Sequence, residues 1–360
     1  MDTDNKILQL LSSDDDANIK LAFSIVKPLQ YGDSVAVKLR EFPYYCLEHD
    51  LEMDFMVELC KLTIKHVKFN KLPESIGKLT KLTKLTIEDT GISKLPESIG
   101  KLINLKTLSI IGHTITKLPD AIGDLTNLRW LNIERGTLSE LPDAIGNLEN
   151  LDILSIVKNN LNSLPESIGK LNMLTMLTIK YTGVSKLPES ISNLVNLKQL
   201  TIVDSMLLSL PDCIAKLVNL DTLSIPGNFI TKLPKSIGNL NKLTRVDISG
   251  NQLVELPESI GNLINLISLY LHDNTIARLP ESIVKLRQLL CLDLSNNNLF
   301  DLPKEFTSMV GLQELSLFNN QLMDLPPTIS NMVGLTTINV RSNNFNKIPV
   351  FYHTPITILT

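Results

Sequence analysis

The chain has 360 residues, of which 43% are hydrophobic and 20% are charged. This composition supplies enough apolar side chains for a large core and excludes a mainly disordered chain. The formal net charge is −4, so charge gives no reason to expect a nucleic acid or an anionic membrane as partner. Aromatic residues make up only 5%, which predicts an aliphatic core.

The first residues, MDTDNKILQLLSSDDD, are acidic and contain only a short apolar run, unlike a secretory signal. No stretch of 18 apolar residues occurs, so we expect no membrane span. The four cysteines have no paired spacing typical of a disulfide framework or zinc site. They are Cys46, Cys60, Cys213 and Cys291. These features favour a reducing, cytoplasmic location.

Residues 1–48 differ from everything that follows. The segment DANIKLAFSIV, from Asp16, carries apolar residues at helical spacing after an acidic capping candidate. We therefore expect residues 1–48 to form a helical N-terminal cap that shields the first exposed repeat.

A repeat of 23 residues organises the rest of the chain. Thirteen prolines, from Pro73 to Pro349, follow one another at this constant spacing, and twelve complete frames run from Leu72 to Lys347. Numbered from its leucine as position 1, every frame is apolar at positions 1, 5, 8, 11, 14, 16 and 21. A fixed period of this length is typical of proteins in which each unit packs only against its neighbours.

Two kinds of local structure are predicted within each frame. Apolar positions 14 and 16 alternate with positions 13, 15 and 17, which is the period of a strand, so stacked frames predict a parallel sheet. Proline at position 2 suits the first turn of a short helix or 3₁₀ segment. Position 3 is acidic in nine of twelve frames, which favours the positive end of that segment's dipole.

Positions 11–21 read LxxLxLxxNxL, the consensus of leucine-rich repeats. The chain resembles the leucine-rich-repeat family and, more narrowly, its 23-residue subtype LPxxIGxLxxLxxLxLxxNxLxx, which occurs in bacterial proteins and in eukaryotic Ras-group-related scaffolds. The resemblance implies an α/β solenoid: a curved horseshoe with a parallel sheet on the concave wall and short helices or 3₁₀ turns on the convex side. The regular repeats favour a bacterial source.

The expected organisation has three parts. A repeat array spans residues 49–347, with one partial and twelve complete frames, between the cap of residues 1–48 and a short C-terminal cap of residues 348–360. Position 19 is asparagine in seven frames, and its amide is expected to satisfy backbone groups of adjacent turns. Five frames lack it. They carry Thr90, His113, Gly136, Thr182 and Ser205. Hydroxyls could replace part of this bonding, or this part of the array is looser.

No catalytic or cofactor motif emerges. The five histidines have no spacing that brings two onto neighbouring strands, so we expect neither a metal site nor a cofactor. Asp247 and Asp293 occupy position 15 two frames apart with Tyr270 between them, which predicts a separation of about 10 Å. Glycosidase carboxylates reach such separations, but an open, wet wall favours a polar contact site.

The concave wall supplies the candidate binding residues. Position 15 is mostly small and polar, and apolar side chains flank it, which predicts one contiguous apolar strip beside a trough of small residues. The candidates in this strip are Ile111, Trp130, Ile153, Val157, Met176, Tyr181 and Val203. The polar candidates are Asp247, Tyr270, His272 and Asp293. Alternatively, the cap or a second copy covers the strip, or these residues simply favour strands.

These observations predict a non-catalytic module or scaffold that binds a protein through the concave wall. A nucleic acid or membrane partner is not expected. Two alternatives stay open: a targeting subunit whose catalytic part lies outside this chain, and a structural protein that self-associates weakly.

Overall fold

The computed structural model describes residues 3–345 and 357–359. The chain divides into two compact units, Met1–Asn160 and Leu161–Thr360. Each unit has its own run of parallel strands, which alternate with 3₁₀ turns.

The first unit begins with five helices. They are α1 (Thr3–Leu11), α2 (Asp16–Val26), α3 (Asp33–Leu39), α4 (Pro43–His49) and α5 (Met53–Met56). Helix α2 begins where its sequence predicts, because the Asp15 carboxylate accepts a hydrogen bond of 2.9 Å from the Ala17 N–H. The helical segment continues past residue 48 and includes α5, so it is longer than the expected cap.

Helix α4 packs against the first repeats. The Tyr44 ring stacks on Phe69 with ring centroids 4.0 Å apart, and the Ser75 hydroxyl donates to the Leu47 carbonyl. Both aromatic side chains are buried. Helix α4 therefore covers apolar surface at the start of the array with Tyr44, whose ring meets Phe69 of the array.

The sheet of the first unit has five parallel strands in sequence order. They are β1 (Lys61–Lys65), β2 (Lys84–Glu88), β3 (Thr107–Ile111), β4 (Trp130–Glu134) and β5 (Ile153–Val157). Each residue pairs with the residue 23 positions later, for example Leu85 with Leu108. The 3₁₀ turns are Glu74–Lys78, Glu97–Lys101, Asp120–Asp124 and Asp143–Asn147.

The second unit continues the same alternation with strands that are mostly shorter. They are β6 (Met176–Lys180), β7 (Gln199–Val203), β8 (Thr222–Ser224), β9 (Arg245–Asp247), β10 (Ser268–Tyr270), β11 (Cys291–Asp293), β12 (Glu314–Ser316), β13 (Thr337–Asn339) and β14 (Thr357–Leu359). Its 3₁₀ turns are Glu166–Lys170, Glu189–Asn193, Asp212–Lys216, Lys235–Asn239, Glu258–Asn262, Glu281–Lys285, Phe306–Ser308 and Pro327–Asn331. Strand β14 pairs with β13, and the rest of the expected C-terminal cap lies outside the described residues.

The core is formed by the seven apolar positions of each frame. All of them are buried except Phe345, which is partly exposed in the last frame. Because one layer is a parallel sheet and the other consists of 3₁₀ turns, the predicted leucine-rich-repeat class of α/β fold is confirmed.

The start of each 3₁₀ turn differs from the prediction. Proline at position 2 precedes the turn in an extended conformation, as at Pro73 (φ −63°, ψ 148°), instead of lying in its first turn. The acid at position 3 reaches across to the next frame: Glu97 accepts from the Ala121 N–H at 3.3 Å, and Glu258 from the Ser282 N–H at 3.2 Å. These acids therefore link neighbouring frames.

Asparagine at position 19 satisfies the backbone as the sequence predicts. In the second unit, Asn274 donates to the Ile248 and Leu271 carbonyls at 3.0 Å each, and its side-chain oxygen accepts from the Leu253 N–H at 2.9 Å. Hydroxyls take over part of this bonding at two positions of the second unit, since the Thr182 and Ser205 hydroxyls lie 3.1 Å apart and Ser205 donates to a carbonyl. The Thr90 hydroxyl of the first unit does not, because it is buried with no hydrogen-bond partner among the described residues.

A second asparagine ladder, at position 10, was not anticipated. Asn104, Asn127 and Asn150 in the first unit each donate to the carbonyl at position 9 of the preceding frame, at 2.8–2.9 Å. Position 10 is asparagine in six of the twelve frames. That frequency is the sequence signal for this second ladder. The family consensus does not contain it, because the consensus specifies no residue at position 10.

In the first unit, His113 takes the position of the ladder asparagine. Its ring is buried and fills the space beside Gly136, where an added Cβ would lie 2.1 Å from a ring carbon. Nδ1 accepts from the Ile115 N–H at 3.1 Å, whereas Nε2 is buried with no hydrogen-bond partner in the part of the chain that the structure describes. Burial lowers the pKa of His113 to about 4, so the imidazole is neutral at pH 7.

Acid is expected to weaken the fold through His113. The unfolded chain takes up a proton near the ordinary pKa of about 6.5, but the folded chain does so only near 4. Stability is therefore fully present above about pH 6.5, falls as the pH drops towards 4, and levels off below it. We expect His113 to account for about 2–3 kcal/mol of this loss. Urea unfolding at pH 7.0 and 4.5 measures it, with His113→Asn as control; an equal loss in that variant would contradict the assignment.

Candidate functional site

The sheet face is the exposed side of each unit's strands and consists of positions 13, 15 and 17. Burial alternates strictly along strand β4, where Leu131 and Ile133 are fully buried and the residues between them are not. The side chains of the sheet face therefore lie outside the core, and their chemistry is free to serve binding.

Trp130 is the most prominent residue on the sheet face of the first unit. It is the only tryptophan of the chain and leaves 46% of its surface exposed. In the register it lies beside Ile153 on β5 and Thr107 on β3. A large indole exposed on a rigid sheet, next to an isoleucine, is the kind of anchor that dominates protein interfaces.

The other two apolar candidates of this unit do not join Trp130 in one strip. Ile111 and Val157 both occupy position 17, but Glu134 lies between them in the register. The Arg135 guanidinium is 3.4 Å from the Asp89 carboxylate and 4.0 Å from that of Glu134. The expectation of one contiguous apolar strip is therefore wrong in this unit, because a charged cluster interrupts it.

In the second unit, the apolar candidates are likewise separated. Met176 pairs with Gln199 and Val203 pairs with Lys180, so each apolar side chain has a polar neighbour across the register. Small residues lie between them, as the expected trough requires, since Thr178 pairs with Thr201. The sheet face here is a mosaic, which suits an interface with polar contacts beside single apolar anchors.

Tyr181 follows β6 at position 18 and is 47% exposed. Position 18 adopts the left-handed backbone conformation in every frame, and glycine, asparagine or aspartate often occupies it. Tyr181 (φ 55°) is a bulky residue in a conformation that costs non-glycine residues of order 1 kcal/mol or more. Tyr181 is therefore an exposed aromatic side chain directly after β6.

The polar candidates of the second unit meet as expected. In the register, Tyr270 lies between Asp247 and Asp293, which places the carboxylates two strands apart, about 10 Å. Each carboxylate is fixed by the serine two residues later: Ser249 Oγ donates to Asp247 at 2.7 Å, and Ser295 Oγ donates to Asp293 at 2.5 Å.

A guanidinium and an imidazole lie beside this trio. The Arg245 guanidinium stacks on the Tyr270 ring at 4.6 Å, and His272 Nδ1 is 3.4 Å from an Asp293 carboxylate oxygen. His272 thus joins the cluster through Asp293, a contact that the repeat pattern does not predict. Within residues 3–345 and 357–359, no group of three or more His, Cys, Asp or Glu is arranged to hold a metal ion.

The family model described as "Leucine-rich repeat region" matches residues 45–132, 120–207 and 245–345. These matches cover most of the chain, which therefore belongs to the leucine-rich-repeat family. Proteins of this family are commonly protein–protein interaction modules and are generally non-catalytic. No curated protein shows a significant match to the sequence.

Solved structures support the same assignment. A leucine-rich-repeat protein of Leptospira interrogans is 29% identical, with a TM-score of 0.66, over 81% of this chain and 86% of that one. An internalin of Listeria monocytogenes is 25% identical, with a TM-score of 0.70, over 86% and 90%. The plant peptide hormone receptor RGFR1, solved in complex with RGF2, is 30% identical, with a TM-score of 0.64, over 80% of this chain and 52% of the receptor.

A search of the helices among the described residues finds none that is both long and apolar enough to cross a membrane.

Proposed function

We propose that this protein is a non-catalytic recognition module that binds another protein through its sheet face. The observation that carries the proposal is Trp130, a half-exposed indole on a strand whose inward residues already complete the core. Apolar area that a partner covers contributes roughly 25 cal/mol per Å² to the free energy of binding. An exposed tryptophan that the core does not need can therefore contribute strongly to binding.

The mosaic character of the surface supports a protein partner over a small ligand. Trp130 in the first unit and Met176 in the second each stand among charged and hydroxyl side chains, and the polar trio around Tyr270 lies on the sheet face of the second unit. The similar plant peptide hormone receptor RGFR1, solved in complex with RGF2, supports a partner of this class.

Trp130→Ala is expected to lower the affinity for a partner isolated from the source cells at least tenfold, about 1.4 kcal/mol or more. The melting temperature of the variant should stay nearly unchanged. Ile103→Ala is the matched control, because Ile103 is an apolar residue of the same unit that is 54% exposed at position 9, away from the strands. Calorimetry measures both affinities. If the Ile103 variant loses binding and the Trp130 variant does not, the partner binds away from the sheet face and the proposal is wrong.

We also propose that the chain works in a reducing compartment. The scattered sequence positions of the four cysteines support the proposal, and burial raises the pKa of Cys46 to about 12 and that of Cys291 above its ordinary value. Protein taken from its source cells should react, once denatured without reductant, with about four equivalents of a thiol reagent. Two equivalents or fewer would reveal a disulfide and contradict the proposed compartment.

A further inference from the structure

Position 22 changes from polar to largely apolar along the repeat array. In the first unit it holds Ser93, Thr116 and Ser139. In the second unit it is polar at Asn162 and Ser185 and becomes largely apolar from the sixth to the eleventh frame. The residues there are Leu208, Thr231, Val254, Ala277, Phe300 and Met323. The last four, in consecutive frames, are called the lateral stripe.

The lateral stripe is exposed. Val254, Phe300 and Met323 leave 58%, 41% and 60% of their surfaces in solvent. Position 22 lies beyond the end of each strand and past the buried residue at position 21, so the stripe is distinct from the sheet face. It borders a groove of about 710 Å³ whose walls include Val254, Ala277, Arg278 and Phe300.

The fold does not require apolar residues here. In the first unit, the Ser93 and Ser139 hydroxyls donate to the carbonyls of Asn70 and Thr116, one frame earlier, at 2.8 and 3.1 Å. A hydroxyl at position 22 therefore adds a hydrogen bond between frames. The lateral stripe gives up this bond and exposes apolar side chains instead, which is the signature of a docking surface.

The charges beside the stripe are unbalanced. The side chains at position 23 of its frames are Glu255, Arg278, Asp301 and Asp324, and position 3 of the frames that follow adds Glu258, Glu281 and Lys304. The Arg278 guanidinium already stacks over the Phe300 ring at 4.5 Å. Although Lys235 also borders the groove, this flank has an acidic excess, so it attracts a basic partner.

The spacing of the stripe fits a helix. Neighbouring frames remain close at position 22, where the Ala277 N–H donates to the Val254 carbonyl at 3.4 Å, so the side chains repeat at about the strand spacing of 4.8 Å. A helix presents one apolar anchor every three to four residues, about 5.2 Å along its axis. Over three intervals the two spacings differ by only about 1–2 Å.

We propose that the lateral stripe binds an amphipathic helix of a partner protein, with the apolar anchors of the helix on Val254, Ala277, Phe300 and Met323 and basic residues on its acidic flank. The lateral stripe is distinct from the sheet face, so a substitution in one surface should leave binding at the other intact.

Synthetic peptides of about 18 residues, long enough to span the stripe as a helix, test the proposal by fluorescence anisotropy on the full chain. An amphipathic peptide of leucine, lysine and alanine should bind at least tenfold more tightly than a scrambled peptide of the same composition. It should also bind at least tenfold more tightly than the same helix with glutamate in place of lysine. The double variant Phe300→Ser and Met323→Ser places serine at position 22, as in Ser93 and Ser139 of the first unit. It should lower the affinity for the amphipathic peptide at least tenfold, whereas Trp130→Ala should not.

Thermal melting confirms that the serine variant is folded before binding is compared. Equal binding of the amphipathic and scrambled peptides, or an unchanged affinity in the folded serine variant, would overturn the proposal. So would a dimer of the wild-type chain that the same variant abolishes in sedimentation, because a second copy would then be the occupant of the stripe.

Discussion

Leu128→Ala is expected to lower the free energy of unfolding by about 2–5 kcal/mol, the range measured when a fully buried leucine is truncated and leaves a cavity. Leu128 occupies position 11 of its frame and is 0% exposed. The frames stacked before and after this one hold the neighbouring core side chains in place, so these side chains can relax only slightly into the cavity. Urea unfolding followed by circular dichroism measures the loss.

The control for this variant is Ile103→Ala, which also truncates an aliphatic side chain of the first unit. Ile103 is 54% exposed, so its truncation should cost no more than about 0.5 kcal/mol. If both variants unfold at the same urea concentration, the division of the frame into inward and outward positions is wrong.

Asn274→Ala is expected to cost about 2–4 kcal/mol, because it removes several hydrogen bonds from a buried place at once. The buried Leu253 N–H loses its acceptor, and the Ile248 and Leu271 carbonyls lose a donor. Each buried polar group left without a partner costs about 1–3 kcal/mol, although relaxation and water entry reduce the sum. Chemical unfolding at pH 7 checks the value.

Asn265→Ala is the matched control in the same unit. Asn265, on the exposed ladder at position 10, donates one described hydrogen bond, of 2.7 Å, to the Asn241 carbonyl. Its removal should cost only about 0.5–1.5 kcal/mol, since water replaces the lost partner. A larger loss for Asn265 than for Asn274 would show that the buried ladder is not what fastens neighbouring frames.

The repeat frame could be predicted from sequence because its apolar positions are set by the core. A residue at position 11 or 14 has no alternative environment once frames stack, so a 23-residue pattern predicts burial directly, and Leu128 and Leu131 are buried accordingly. The amide ladder followed from the same logic, because asparagine is a short side chain with both a donor and acceptor.

The helical segment could be predicted only in part. The spacing around Phe23 indicated α2, but α5 at Met53–Met56 lies where a partial repeat was expected. Apolar residues such as Leu59 and Leu62 fit the repeat offsets there, and periodicity alone cannot separate the end of a helix from the start of a frame.

The surface was the hardest part to predict, because no folding requirement fixes it. The pattern placed Ile111 and Val157 on the sheet face, but the interruption by Glu134 and the ion pair between Arg135 and Asp89 depend on register and side-chain reach. The lateral stripe could not be predicted for a different reason, because the consensus specifies no residue at position 22. The change from Ser93 to Phe300 becomes informative only when the exposed fractions of these side chains are known.

We expect the sheet face of this protein to bind another protein in its cells. The most direct test replaces Trp130 with the photoreactive amino acid p-benzoylphenylalanine, irradiates intact source cells and identifies adducts by mass spectrometry. The same replacement at Ile103, which is exposed but away from the strands, is the control. We predict a discrete protein adduct at position 130 and none at position 103. An adduct at position 103 with none at position 130 would contradict the claim.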